Sequence, residues 1–446
     1  MNFTRRNFLK TTAAAAVAFP AMSVVAQGKV SAGDKLNVAL IGCGGMGWSD
    51  LSDFLLDTSV ECVALSDIDQ TRLQNRAAEC VKKGMKEPAM YGDYRKILDR
   101  KDVDVVIIGT PDHWHCLQFV DACAAGKDVY VEKPVANSIA ECDAMVAAAK
   151  RYNRVAQVGQ QQRSSKHWQE MVDYLRSGKL GTIGRVHIWA NFNYAAIQQR
   201  VPDSAVPENV DFETWLGPAP KRTFNSQRFH GLWRMFWDYG GGLMTDWGVH
   251  LLDMGLWGMD VKTVPLKTLS SGGNFFYPDG AHETYDSQTV TYHFNNFFMT
   301  WEHNAGTETG PYGRNYGVLF RGTNGTLVAD RDSWAIYPEN RKEGKLPETV
   351  VKADHQDHKL HVANFIECVK TRNFQTACTI ENGSLCAKYA QLGNIAARVG
   401  GAALSYDDVR KQFDNPDANK YLKPEYRAPW KFPSEASFPL FRKNDL

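Results

Sequence analysis

From Leu36 onward, short apolar runs alternate with amphipathic stretches. Runs at Leu36–Ile41, Glu61–Ser66, Val103–Gly109, Val129–Val131 and Val155–Val158 predict strands. Helical spacing over Gln70–Lys83, Trp114–Ala125 and Ile139–Tyr152 predicts the helices between them, the second ending at Gly126. Apolar strands in alternation with helices describe a parallel sheet covered on both faces. After Gly159 the rhythm changes. A helix is expected over Lys166–Ser177, then period-two runs at Arg185–Asn193, Thr289–Phe294, Phe297–His303 and Gly317–Phe320. These fit a mixed or antiparallel sheet. Late helices are expected at His358–Lys370 and Leu385–Val399.

The pattern divides the chain into an N-terminal leader (1–26), an α/β domain with a parallel sheet (33–158), and an α+β domain (159–414). The second domain carries a large, mostly antiparallel open sheet, and an extended arm rich in proline and aromatics follows (415–446). The leader holds Arg5-Arg6, then a mildly apolar run from Thr11 to Ala26 that is too short to span a bilayer comfortably. Paired arginines before such a run mark a twin-arginine export signal, so a periplasmic protein is expected, with no membrane span once the signal is removed. Its removal takes three basic residues and no acid from 51 Lys+Arg and 50 Asp+Glu, leaving 48 against 50. That balance argues against a nucleic-acid or anionic-membrane partner. The nine cysteines show no CxxC and no metal-ligand spacing, and are expected to be buried free thiols.

The first strand runs into Gly42-Cys43-Gly44-Gly45-Met46-Gly47. A GxGxxG between a strand and a helix is a dinucleotide fingerprint. Gly42 makes the tight turn, Gly44 lets backbone approach a pyrophosphate, and Gly47 lets helix and strand pack closely. Gly45 and Met46 complete the phosphate loop at the helix N-terminus. Asp67, at the end of the second strand, can accept both ribose hydroxyls and repel a 2′-phosphate, and Ile68 supplies no cation. This favours NAD over NADP, with Arg72 the nearest group that argues the other way.

Two later segments, Gly109-Thr110-Pro111-Asp112-His113-Trp114-His115 and Glu132-Lys133-Pro134, closely resemble signatures of the Gfo/Idh/MocA oxidoreductases, which include glucose–fructose oxidoreductase and inositol dehydrogenase. The run Gly240-Gly241-Gly242-Leu243-Met244-Thr245-Asp246-Trp247-Gly248-Val249-His250-Leu251-Leu252-Asp253 looks like that family's active-site helix. Phe212-x-x-Trp215-Leu216-Gly217-Pro218 resembles a segment of its exported members, expected to buttress the pocket. The resemblance covers Leu36 to about Ala403. It implies a Rossmann domain, hydride transfer between nicotinamide and a sugar or cyclic polyol, and a homo-oligomer (dimer or tetramer).

Chemistry read from the residues agrees. Lys133 ends a parallel strand, where ligands of open α/β sheets bind. Asp246 and His250 lie four apart and share a helix face. His250 is assigned as general base, Lys133 as the cation that positions the hydroxyl, and Asp246 as the group that orients substrate or tunes Lys133. Thr110, Pro111, His113, His115, Glu132 and Lys133 are expected to line the cofactor. Arg163, Trp233, Arg234, Trp237, Tyr239 and His303 are expected on the substrate side, since aromatic faces beside polar donors suit a pyranose. His303 is the reserve base. Asp253 is expected to be structural, and His355, His358 and His361 are read as the first turns of a solvated helix, with no metal. The alternative is a redox-neutral glycosidase similar to the NAD-dependent N-acetylgalactosaminidases, or a keto-glycoside-forming enzyme. The Tyr-Pro-Thr-His stretch of those glycosidases is absent between Leu243 and His250. A non-catalytic protein holding NAD structurally is disfavoured by the Lys133/Asp246/His250 set.

Overall fold

The computed structural model describes residues 35–191, 193, 200–340 and 344–438. The expected leader, and residues 27–34 after it, lie outside them. The first half runs β1 (Leu36–Ile41), α1 (Gly45–Phe54), β2 (Val60–Ser66), α2 (Gln70–Lys82), β3 (Ala89–Tyr91), α3 (Arg95–Leu98), β4 (Val105–Ile108), α4 (Asp112–Ala124), β5 (Asp128–Val131), α5 (Ile139–Tyr152) and β6 (Ala156–Val158). Its six strands are parallel in the order β3-β2-β1-β4-β5-β6, so the order reverses between β1 and β4. In a Rossmann sheet the ligand crevice opens at that reversal, outside the strands' carboxyl ends. β3 is absent from the sequence reading because three half-exposed edge residues carry almost no pattern.

The second half runs α6 (Lys166–Arg176), β7 (Ile183–Asn191), α7 (Phe212–Leu216), α8 (Leu243–Asp246), α9 (Gly248–Gly258), β8 (Lys267–Gly273), β9 (Ser287–His293), β10 (Phe298–Asn304), β11 (Tyr316–Gly322), β12 (Gly325–Ala329), β13 (Ser333–Pro338), β14 (Thr349–Lys352), α10 (Asp357–Thr371) and α11 (Ile380–Arg398). Eight strands form one sheet in the order β14-β13-β12-β11-β7-β10-β9-β8, antiparallel except where β7 and β10 pair. The α/β plus α+β expectation is met. Alternating residues such as Val290, Tyr292, Met299 and Trp301 enter a core shared with α6, α9 and α11. The opposite face exposes Leu269 and Phe298.

α10 does not stay with the second half. Val362, Phe365 and Ile366 pack on Leu51 and Phe54 of α1 and on Tyr130 of β5. This corrects the reading of its histidines as solvated. His361 is fully buried, with Ser164 Oγ and the Val158 carbonyl on its two nitrogens. His358 bridges Asp53 (Nδ1–Oδ2 2.5 Å) and fully buried Asp50 (Nε2–Oδ1 2.9 Å) on α1. His355 lies before the helix, 3.9 Å from Asp332. All nine cysteines are buried and free, and among the described residues no helix is long and apolar enough to cross a membrane.

Candidate active site

The turn after β1 opens the cleft. Gly42 has φ +87°, and a Cβ there would sit 2.8 Å from the backbone of Gly109 after β4. A Cβ on Gly47 would lie 2.3 Å from the Gly42 carbonyl, so this glycine serves helix–strand packing. Around Gly45 the space is open, and α1 begins with no side-chain cap and no acid in its first turn. Its free N–H groups thus form a cradle that fits a pyrophosphate. Asp67 is held facing the cleft, accepting the Cys43 amide (2.8 Å) and the Asp69 amide (2.9 Å). Burial raises its carboxyl pKa, while those amides and Arg72, 4.0 Å away, pull it back.

The cleft reaches from Gly44 and Met46 past Thr110 and Pro111 to Glu132 and Lys133. His113 and His115 do not line it, which corrects that expectation. His113 is buried against the Trp215 carbonyl (3.0 Å), and His115 lies between the carbonyls of Pro134 and Thr110 (both 2.8 Å). Burial lowers both imidazoles to about 4, so they are neutral struts behind the wall. Trp114 Nε1 donates to the same Trp215 carbonyl (3.0 Å), and Thr214 and Trp215 face the cleft. The α7 segment does buttress the pocket.

Lys133 extends from the end of β5, and its Nζ meets Asp246 Oδ1 at 2.7 Å and the Asp246 carbonyl at 3.2 Å. Arg234 Nε donates to the same Oδ1 at 3.2 Å and its guanidinium covers Trp233 at 4.3 Å. The expected continuous helix breaks at Trp247 into α8 and α9, yet Trp247 keeps right-handed dihedrals and His250 N–H bonds its carbonyl. His250 therefore follows one turn after Asp246, and of Lys133, Asp246 and His250 only Lys133 is part of the cleft wall. Burial, then the charges of Lys133 and Arg331, hold its imidazole well below its ordinary value. Its Nδ1 is buried without a hydrogen-bond partner. A neutral imidazole beside an ammonium can take a proton from a hydroxyl and pass it on.

Other expected substrate-side residues are engaged elsewhere. Arg163 grips Asp253 in a buried pair (Nη2–Oδ1 2.6 Å, Nε–Oδ2 2.8 Å), which gives Asp253 its structural role and removes Arg163 from the cleft. His303 accepts from Trp301 Nε1 (3.1 Å) and bonds the Tyr285 carbonyl (3.0 Å), so it is no reserve base. Trp237 lies under Arg398 (4.6 Å), and Tyr239 is buried against Trp215 (4.8 Å between rings). Neither lines the cleft, whereas Trp233 and Arg234 do.

Two groups, Asp112 and Arg331, carry no signal in the sequence, and Glu132 is more than the cofactor contact expected of it. It lines the cleft with Oε1 buried and unpartnered, and burial, reinforced by Asp50, raises it to about 8 against the pull of Lys133. Asp112 also lines the cleft, pushed up by burial and held back by Arg234, but in sequence it looks like an ordinary acid at a helix start. Arg331 arrives from the turn between β12 and β13, and nothing in its neighbourhood along the chain marks it.

Comparison with known proteins decides the family. Residues 36–160 match the Gfo/Idh/MocA family in its NAD-binding Rossmann fold, and residues 176–297 with 321–432 match its C-terminal α/β domain. The chain belongs to the Gfo/Idh/MocA oxidoreductases. Solved structures with the same fold include an inositol dehydrogenase homologue of Azotobacter vinelandii in complex with NADH and myo-inositol (TM-score 0.64, 17% identity, 84% of this chain and 98% of that one). Another is the aldose-aldose oxidoreductase of Caulobacter crescentus solved with glycerol (0.62, 19%, 83% and 99%). Among curated relatives, a glycosyl hydrolase family 109 protein of Shewanella putrefaciens is 31% identical over 154 residues, 34% of each chain. The alpha-N-acetylgalactosaminidase of Shewanella oneidensis is 28% identical over 204 residues, 41% of this chain and 44% of that protein. The chain thus spans less than half the length of these curated relatives.

Proposed function

We propose that this family member oxidises a secondary hydroxyl of a sugar, glycoside or cyclic polyol against a tightly held NAD. The observation that carries the reading is the Lys133–Asp246 pair, with His250 within reach of the lysine's charge, in a cleft that has a pyrophosphate cradle at its other end. The loop Gly42–Gly47 and Asp67 would hold the dinucleotide, and nicotinamide would supply the hydride acceptor. Lys133 donates to the reacting hydroxyl oxygen and stabilises negative charge that develops there. Asp246, gripped by Lys133 and Arg234, keeps that ammonium aimed. His250 takes the hydroxyl proton on a ring nitrogen and returns it in the reverse direction. Incubating the purified protein with a panel of pyranosides and inositols, while watching NADH absorbance, tests this. No reduction of bound cofactor with any member overturns it.

A second reading is a redox-neutral glycosidase, supported by the names of the family 109 relatives. There the same residues would oxidise and re-reduce one sugar around bond cleavage, and a released aglycone without net NADH would identify it.

The paired arginines support export through the twin-arginine route to the periplasm, with NAD loaded in the cytoplasm and carried out inside the folded chain. Outside, free dinucleotide is scarce, so the cofactor has to be restored in place by a second sugar or within one redox-neutral cycle. The exposed sheet face with Leu269 and Phe298 supports a homo-oligomer closed through that sheet.

A further inference from the structure

Arg331 is a second cation, after Lys133, whose charge reaches His250. The turn carrying it is pinned by its neighbour Asp330, whose carboxylate pairs with Arg314 (2.7 Å) and accepts the Ser333 amide (2.9 Å). Asp330 is therefore not available to Arg331. The half-buried Arg331 guanidinium lies 4.5 Å over the Trp247 ring, between Asp246 and His250 in sequence. Its Nε and Nη2 both reach one atom, Gln162 Oε1, at 3.3 Å. Among the described residues no carboxylate forms an ion pair with it, and Asp357, Asp246 and Glu132 act on it only from a distance.

Lys133 and Arg234 share the single carboxylate of Asp246. Glu132 and Asp112, which line the cleft near Lys133 and Arg234, are held toward their neutral forms by burial. Donors are left over. Gln162 is buried, its Oε1 is given to Arg331, and its Nε2 has no hydrogen-bond partner. A guanidinium edge beside a waiting amide donor matches an oxyanion with two acceptor atoms.

We infer that Arg331 and Gln162 form a subsite for an oxyanion substituent on the substrate, so that the sugar oxidised here carries a carboxylate or a phosphate ester. The inference rests on the reading of this cleft as a sugar oxidoreductase site and narrows its substrate class. A neutral pyranose would leave the guanidinium and the amide without their partner, a penalty that becomes discrimination.

The test is calorimetric titration of the NAD-loaded protein with methyl glucopyranoside, methyl glucopyranosiduronate and glucose 6-phosphate. One of the two anionic ligands should bind at least about tenfold tighter than the neutral one, the scale of a charge-assisted hydrogen bond. Which of the two does so tells carboxylate from phosphate. Arg331→Gln should bring all three within about twofold, and Arg331→Lys should keep part of the preference. Gln162→Glu, which fills the subsite with a fixed carboxylate, should remove it without truncating the arginine. Equal or tighter binding of the neutral sugar by the wild type overturns the inference, as does a preference that survives both Arg331→Gln and Gln162→Glu. Turnover of the neutral sugar without anion preference sinks the subsite alone. Anion preference without any cofactor reduction counts against the oxidoreductase reading instead.

Discussion

Lys133 Nζ and Asp246 Oδ1 lie 2.7 Å apart, joining the end of a Rossmann strand to the first short helix of the active-site segment, 113 residues along the chain. Both side chains are largely buried, at 13% and 4% exposure, so the pair is held in place rather than mobile in solvent. Removing Asp246 strands the ammonium, whereas removing Lys133 leaves the carboxylate to Arg234.

Lys133→Ala and His250→Ala should each lower kcat by at least about a hundredfold, as loss of a charge-stabilising or acid–base group does. Bound cofactor should persist in the His250 variant. Because the imidazole is held well below 6.5, it stays in its basic form on the acid side, and kcat/KM should fall only well below pH 6.5. Steady-state rates across pH check both statements, and near-normal turnover by His250→Ala would move the base elsewhere.

Stability should depend on His358. Its pairing with Asp50 and Asp53 outweighs burial and raises it from 6.5 to about 9. A histidine raised on folding contributes stability that is complete below about pH 6.5 and is lost as pH rises through about 9. Melting temperatures should fall across that window, and more shallowly in His358→Gln. At pH 6 the variant should be less stable by about 3 kcal/mol, because Asp50 is then buried without its counter-charge.

Asp67 should select NAD. Mass analysis of cofactor released from denatured protein should find NAD, and mainly NADP would refute this. Asp67→Ala should narrow the preference by at least about tenfold, since Arg72 lines the same cleft and would then meet a 2′-phosphate unopposed.

Cofactor should survive purification without added nucleotide and long dialysis at close to one per chain. The C-terminal arm helps to hold the wall. Arg427 binds the carbonyls of Gly217 (3.0 Å) and Ala219 (3.1 Å), and the Trp430 ring lies 4.9 Å from that of Trp114. Trp430→Ala should speed NAD release several-fold, read by loss of occupancy with time. A wild-type protein that emerges empty would end the idea of cofactor carried through export.

Light scattering at micromolar concentration should give a dimer or tetramer, and Phe298→Lys on the open sheet face should shift it toward monomer. A clean wild-type monomer contradicts this.

The linear sequence determined what local physics determines. Apolar runs with glycine turns specified the parallel sheet and its order of helices, since burial on both faces leaves a continuous hydrophobic mark. The turn Gly42–Gly47, Asp67 and Lys133 were legible because each sits a short, fixed distance from a strand end. Tertiary structure decided which polar residues meet. Arg163 and Asp253, 90 residues apart, satisfy each other in the core. His303 is consumed by Trp301 and a carbonyl, and His358 by two aspartates of α1. Arg331 brings its charge near His250 from a strand turn with no local signature. Whether a charged side chain serves the fold or the ligand depends on partners that lie far along the chain, because a buried charge takes whatever counter-charge the packing brings near.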